Sequence, residues 1–198
     1  MANRNQTLPL DEASRRTFLR QAGMMSLGAV AAVSLAHSNP TVAAMKGGAS
    51  KSTHEDIAIL NTALALEYQA IAAYQAGAES NLLQKPVLDV AVKFQSHHRA
   101  HAGVLADTVQ KLGGTPVQAM SVRDYGFPLD KLKSQADVLR FAAGLEKGAA
   151  GAYLGAVPAF HNRDLAKAAA SILGDETMHW AVLLNALGED PVPVAFIG

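Results

Sequence analysis

Residues 172–179 read Ile172-Leu173-Gly174-Asp175-Glu176-Thr177-Met178-His179. Glu176 and His179 are three apart, so a helix sets their carboxylate and imidazole one turn apart on one face. Leu165, Ala169 and Ile172 precede the pair on a helical period, and Leu183 and Ala186 follow it. The same face is therefore a core-facing apolar stripe with an ionisable pair at its middle.

Working outward, three more segments carry helical period and repeat the anomaly. Segment 55–78 has the stripe Leu60, Ala63, Glu67, Ala70, Tyr74. Segment 85–112 has Val87, Ala91, Phe94, His98, His101, Leu105, Leu112 and is stopped by Gly113-Gly114. Segment 134–160 has Leu139, Ala142, Glu146, Ala149, Tyr153, Ala156, Phe160, with Ser134 as N-cap and Pro158 as the kink or end. The fourth segment, 162–187, starts at an Asn162 cap and stops at Gly188. The first two segments are joined by a short connection, as are the last two, so each pair should be antiparallel neighbours. The connection between the pairs is long and contains Pro116, Gly126 and Pro128. Two antiparallel hairpins joined by a long crossover make an all-α, ferritin-like four-helix bundle. The bundle is expected over 55–188. A flexible linker is expected at 45–54, and an extended tail at 189–198. The tail's apolar end should pack on the bundle or on a partner chain, which leaves a homodimer open.

A buried, uncompensated carboxylate costs several kcal/mol. Three carboxylates and three imidazoles converging in one layer need positive charge, and no Lys or Arg lies on the stripes. A divalent metal is the natural compensator. The candidate ligands are Glu67, His98, His101, Glu146, Glu176 and His179. Bundles with carboxylate-bridged metals use single Glu residues on two helices and Glu-x-x-His on the other two. Glu67 and Glu146 fill the single places, and His98-Arg99-Ala100-His101 stands opposite Glu176-x-x-His179. The donor set suits iron or manganese, as one or two ions, with zinc also compatible. His97 is an alternative to His98 but falls off the stripe. His37, His54 and His161 read as ordinary core or surface residues, Asp175 as a solvated face, and Tyr74 and Tyr153 as core aromatics with a satisfied hydroxyl in preference to supporting or redox-active groups near the metal. Trp180 points off the stripe and is given no role.

An internal repeat supports the arrangement. Leu66-Glu67 precedes Ala73-Tyr74 as Leu145-Glu146 precedes Ala152-Tyr153, and each histidine motif is followed by Val-Leu, 104–105 and 182–183. The two hairpins read as copies about a pseudo-two-fold axis.

Composition sets the outer limits. Hydrophobic residues make up 49% and charged residues 17%, enough for a sizeable helical core. Formal net charge is zero, which gives no reason to expect nucleic acid. Cysteine is absent, so thiolate metal sites, disulfides and cysteine nucleophiles are excluded. Residues 14–20, Ser-Arg-Arg-Thr-Phe-Leu-Arg, are followed by a weakly apolar run and by Thr41-Val42-Ala43-Ala44. This resembles a twin-arginine signal spanning 1–44, read by the twin-arginine export machinery and cleaved after Ala44. The run is short and rich in Gly, Ala and Ser, so no stable membrane span should remain after cleavage. The expected location is the periplasm or the extracellular space.

Leu60-Asn61-x-Ala63-Leu64-x-Leu66-Glu67-Tyr68, Glu146 with Ala152-Tyr153-Leu154-Gly155-Ala156, and Ile172-Leu173-x-x-Glu176-x-x-His179 resemble the ferritin-like domain family that includes bacterial and plant desiccation-related proteins. The tail Pro191 to Phe196 is similar to that family too, and the resemblance covers about 55–196. It implies a metal–carboxylate bundle whose biochemical role is poorly defined, and it implies Glu at the position of His98. A neutral imidazole has one lone pair for a metal and cannot bridge two, so an asymmetric or mononuclear site is expected as readily as a dinuclear one. Two functions follow: a redox metalloprotein acting on Fe(II), dioxygen or peroxide, or a non-enzymatic stress or desiccation scaffold with a structural or vestigial site.

Overall fold

The computed structural model describes residues 50–197. The signal segment 1–44 and the first part of the expected linker lie outside them. Four long helices run in chain order: α1 Lys51–Glu79, α2 Lys85–Lys111, α3 Gln135–Ala156 and α4 Arg163–Ala186. Short 3-10 turns occupy Leu129–Lys131 and Val157–Ala159, and no strand occurs among the described residues. α1 packs chiefly on α2 and α3 on α4, giving two hairpins that face each other across the core.

Local chemistry explains the boundaries. Ser134 and Asn162 cap α3 and α4, their side chains accepting from the backbone N–H of Asp137 and Asp164. Pro158 ends α3 in a 3-10 turn. α2 and α4 end alike: Gly113 and Gly188 take positive φ, 83° and 74°, which only glycine adopts freely. The N–H groups of Gly114 and Glu189 then reach back to the carbonyls of Val109 and Leu184, satisfying the last turn of each helix. One expectation needs correction. The linker does not extend to residue 54, because Ser50 accepts from Thr53 N–H at 3.2 Å and starts α1 at Lys51.

Two side chains, the buried carboxylate of Asp56 and the half-buried amide of Gln135, tie the parts together. Asp56 is 3% exposed and accepts the backbone N–H groups of His161 and Asn162 at 2.8 and 3.0 Å, fixing the start of α4. In the other hairpin Gln135 accepts the N–H of Gln84 at 2.8 Å, fixing the start of α2. These pairs occupy matching places in the internal repeat. Asn61 holds the crossover, donating to Thr115 O and accepting from Val117 N–H. α1 has the length and composition of a membrane span, but half of that stretch is buried in the bundle and it carries Glu67.

The apolar core has two parts. One lies around Leu60, Leu64, Val109, Tyr153 and Phe160. The other lies around Tyr74, Phe94, Leu139, Trp180 and Leu183. Trp180, given no role from its stripe position, is thus a core residue, with Lys147 Nζ over its ring at 5.5 Å. The tail packs less than expected: Ile197 rests against the second part, while Val192, Val194 and Phe196 are exposed. Between the two parts lies a layer of buried ionisable side chains.

Replacing Asp56 with Ala strands two backbone N–H groups at the hairpin junction. The expected loss is about 1–3 kcal/mol, read as a lower denaturant midpoint with an unchanged slope.

Candidate metal centre

All six residues marked by the stripes meet in that layer. α1 supplies Glu67, α2 supplies His98 and His101, α3 supplies Glu146, and α4 supplies Glu176 and His179. Five of them are at most 2% exposed, and His101 is partly buried. They form two overlapping groups, Glu67–His98–His101–Glu176 and His98–Glu146–Glu176–His179, each with its ligand atoms within 4.8 Å of one another. Glu176 belongs to both. Its Oε1 lies 3.3 Å from His101 Nδ1, and its Oε2 lies 3.9 Å from His179 Nδ1.

His98 stands between the groups. Its Nδ1 is 2.8 Å from Glu67 Oε2 and its Nε2 is 3.2 Å from Glu146 Oε1. The ring thus spans the place where a bridging carboxylate would sit. When neutral it turns a lone pair to one group and an N–H to the other, so the two groups are unequal.

The other candidate, His97, lies outside this layer with its side chain 34% exposed. Its Nδ1 is 2.9 Å from His179 Nε2 and 3.1 Å from Asp175 Oδ2. Asp175 was expected to be a solvated residue, and the structure corrects this. Its Oδ2 lies 3.4 Å from His101 Nε2 and 3.3 Å from His179 Nε2. It faces the outer nitrogens of both inner histidines. A carboxylate there favours protons on Nε2 and leaves both Nδ1 atoms free to face inward. The missed signal was local: Asp175 is one helical turn before His179.

The tyrosines are a second correction. Both sit in the core, but Tyr74 donates to Glu146 Oε1 and Tyr153 donates to Glu67 Oε1 at 2.5 Å. Each tyrosine holds the carboxylate of the opposite hairpin, and burial beside that carboxylate pushes both phenols well above their ordinary pKa. They therefore stay protonated donors. The Phe94 ring stacks on His179 with centroids 4.0 Å apart and closes the layer on that side.

A model of the ferritin-like domain matches residues 55–189. The chain belongs to the ferritin-like domain family. Among solved structures, this ferritin-like chain is similar to a conserved hypothetical protein from Mycobacterium tuberculosis. The two share 24% identity and a TM-score of 0.62, over 74% of this chain and 99% of the other. It is also similar to a ferritin-like, diiron-carboxylate protein from Bacillus anthracis str. Ames. Here identity is 24% and the TM-score 0.60, over 70% of this chain and 99% of that one. At that identity the likeness shows the fold. No curated protein sequence matches.

The chemistry of this ferritin-like layer fits a metal. Five buried donor atoms have no hydrogen-bond partner: His101 Nδ1, Glu146 Oε2, both oxygens of Glu176, and His179 Nδ1. Buried polar atoms are otherwise almost always paired, and four of these five meet around Glu176, whose Oε1 lies 3.3 Å from His101 Nδ1 and whose Oε2 lies 3.9 Å from His179 Nδ1. A cation held by them would satisfy the atoms that the protein leaves unmatched.

Without a cation the layer must keep protons. Burial opposes charge on His98, but its bonds to Glu146 and Glu67 outweigh that and raise its pKa to about 10. Burial also raises Glu67 and Glu146. The imidazoles beside them, His101 and His98 for Glu67, His179 and His98 for Glu146, outweigh burial and hold both below the ordinary carboxylate value. Glu176 goes the other way. Burial, together with the Glu146 and Glu67 charges, lifts it to about 11. At neutral pH the metal-free layer therefore holds a protonated Glu176 and a charged His98.

Metal must displace these protons, so binding should release more than one proton per chain near pH 7. Affinity should strengthen as pH rises towards about 10, where His98 sheds its proton. Calorimetry in buffers of different ionisation enthalpy measures the release. Glu176→Gln gives a second outcome. An unfolded Glu is ionised at pH 7, whereas the buried one keeps its proton, so folding carries a linkage cost that glutamine lacks. The metal-free variant should be more stable by on the order of 2 kcal/mol and should bind metal at least tenfold more weakly, since it loses the carboxylate shared by both groups.

Proposed function

We propose that the chain is an exported ferritin-like metal protein whose Glu/His centre supports redox chemistry of iron or manganese towards dioxygen, peroxide or Fe(II). The observation that carries this reading is the set of five buried, unpartnered donor atoms within one clustered Glu/His layer. A bound iron or manganese ion would supply the one-electron redox change that the side chains lack. Glu67, His101 and Glu176 would hold a cation on one side, and Glu146, Glu176 and His179 on the other. Tyr74 and Tyr153 each fix one oxygen, of Glu146 and of Glu67 respectively. Asp175 orients His101 and His179. Phe94 and the two apolar parts of the core keep water from the layer.

Export is proposed from Arg15-Arg16 with Phe18-Leu19 and from the small residues before Met45. A route that carries folded chains suits a protein that loads metal before crossing a membrane. The periplasm or extracellular space is the location proposed, with peroxide defence or metal handling as the setting.

One observation favours a second reading, a non-enzymatic stress or desiccation scaffold. His98 in its charged form bonds both Glu67 and Glu146, so part of the layer neutralises itself without metal. Elemental analysis separates the two readings. The redox reading expects about one tightly held iron or manganese per chain and a melting point lowered by chelation. No bound metal after reconstitution, with melting unchanged by chelator, would establish the scaffold. His98→Glu restores a carboxylate between the groups and should raise the stoichiometry to about two ions per chain. An unchanged stoichiometry would refute the account of His98 as the residue that makes the groups unequal.

A further inference from the structure

The second part of the core contains a cavity of about 280 Å³, walled almost wholly by aliphatic side chains. It reaches from Tyr74 towards the end of the bundle where α1 ends and α2 and α3 begin. The internal repeat provides a built-in control, because the matching positions at the other end are filled. Val87 matches Leu165, Val138 matches Ile59, and Gly77 matches Ala156. Phe160, 4% exposed, plugs the other end, while its counterpart Asn81 is exposed at the surface. Val87, Val138 and the outward-turned Asn81 thus leave space at one end of a bundle that Phe160 fills at the other, whereas a methyl on Gly77 would already meet Val138 Cγ1 at 3.2 Å. The apolar side chains lining a space of this size lack packing partners on that side.

We propose that this cavity is a binding site for an uncharged aliphatic molecule of roughly ten non-hydrogen atoms with one hydrogen-bonding end. The size follows from the volume, since a dry cavity of about 150 Å³ holds benzene. The aliphatic character follows from the walls, which offer neither a charge nor a cluster of polar groups. The single polar end follows from the mouth, where exposed Asn185 is the one amide beside Pro86 and Val182. Tyr74 is the inner wall, and its ring stacks on His98 with centroids 5.4 Å apart. The occupant therefore lies one aromatic ring from the Glu/His layer. The tail is the competing occupant, because Ile197 rests on the same cluster and Phe196 is exposed beside it.

Octan-1-ol, with an aliphatic body and one hydroxyl, is the probe. It is titrated calorimetrically into the full chain, once freed of metal and once loaded, so the result stands apart from the metal reading. The expected result is saturable one-to-one binding in both forms with a negative heat-capacity change. Val87→Leu with Val138→Ile installs the side chains of the filled end and should weaken binding at least tenfold without lowering the melting point. In the unchanged chain, the methyl resonances of Val87 and Val138 should shift on adding octan-1-ol while those of Leu60 stay. This measurement decides the matter even if the double variant folds poorly. Absence of saturable binding, equal binding by the folded double variant, or shifts confined to other methyls would overturn the proposal. Binding that appears only after Phe196→Ala would assign the cavity to the tail and overturn it as well.

Discussion

Charge compensation in a dry core governs this bundle. Three carboxylates and three imidazoles from four helices share one layer, and five of the six are almost wholly removed from water. Ionised carboxylates so placed repel one another at low effective dielectric, where interaction energies are several times those in water. The protein lessens the repulsion by keeping a proton on Glu176 and by setting His98 between Glu67 and Glu146. The donors left unmatched define where a cation fits. Helix pairing, crossed tyrosines and Asp175 all serve to hold this layer in register.

The layer is built twice over. Tyr74 and Tyr153, Glu67 and Glu146, and His101 and His179 are pairs in a repeated hairpin, as are the fastenings made by Asp56 and Gln135. The copies differ at the layer and at one end of the bundle. His98 faces Glu176 across the axis, His97 faces Asp175, and one end is packed while the other is hollow. Symmetry gives the scaffold, and its departures give the centre an inside, an outside and a neighbouring cavity.

The sequence revealed the fold and the inner donors because both follow from helical period. Ionisable residues at the middle of apolar stripes can be found by counting, as can the glycines that end α2 and α4. What lies off the stripe was harder to read. Asp175 is one turn from His179 but on the rim of the face, so period alone assigns it to solvent. Tyr74 and Tyr153 sit on the stripe like any core aromatic, and the targets of their hydroxyls depend on how the two hairpins dock. The cavity depended on comparing the two copies position by position, since no single small residue announces it. The early start of α1 turned on one serine hydroxyl, a cap too local for periodicity to register.

The crossed tyrosines carry a consequence for how the molecule is made. Tyr74 rises from the first hairpin to hold Glu146 of the second, and Tyr153 rises from the second to hold Glu67 of the first. Neither half owns a finished carboxylate. A chain emerging from the ribosome cannot complete the layer until its last helix has joined the other three, because Glu176 and His179 come from that helix. A cation held by this layer would then report on whole-chain assembly, because a half-built bundle lacks the full donor set.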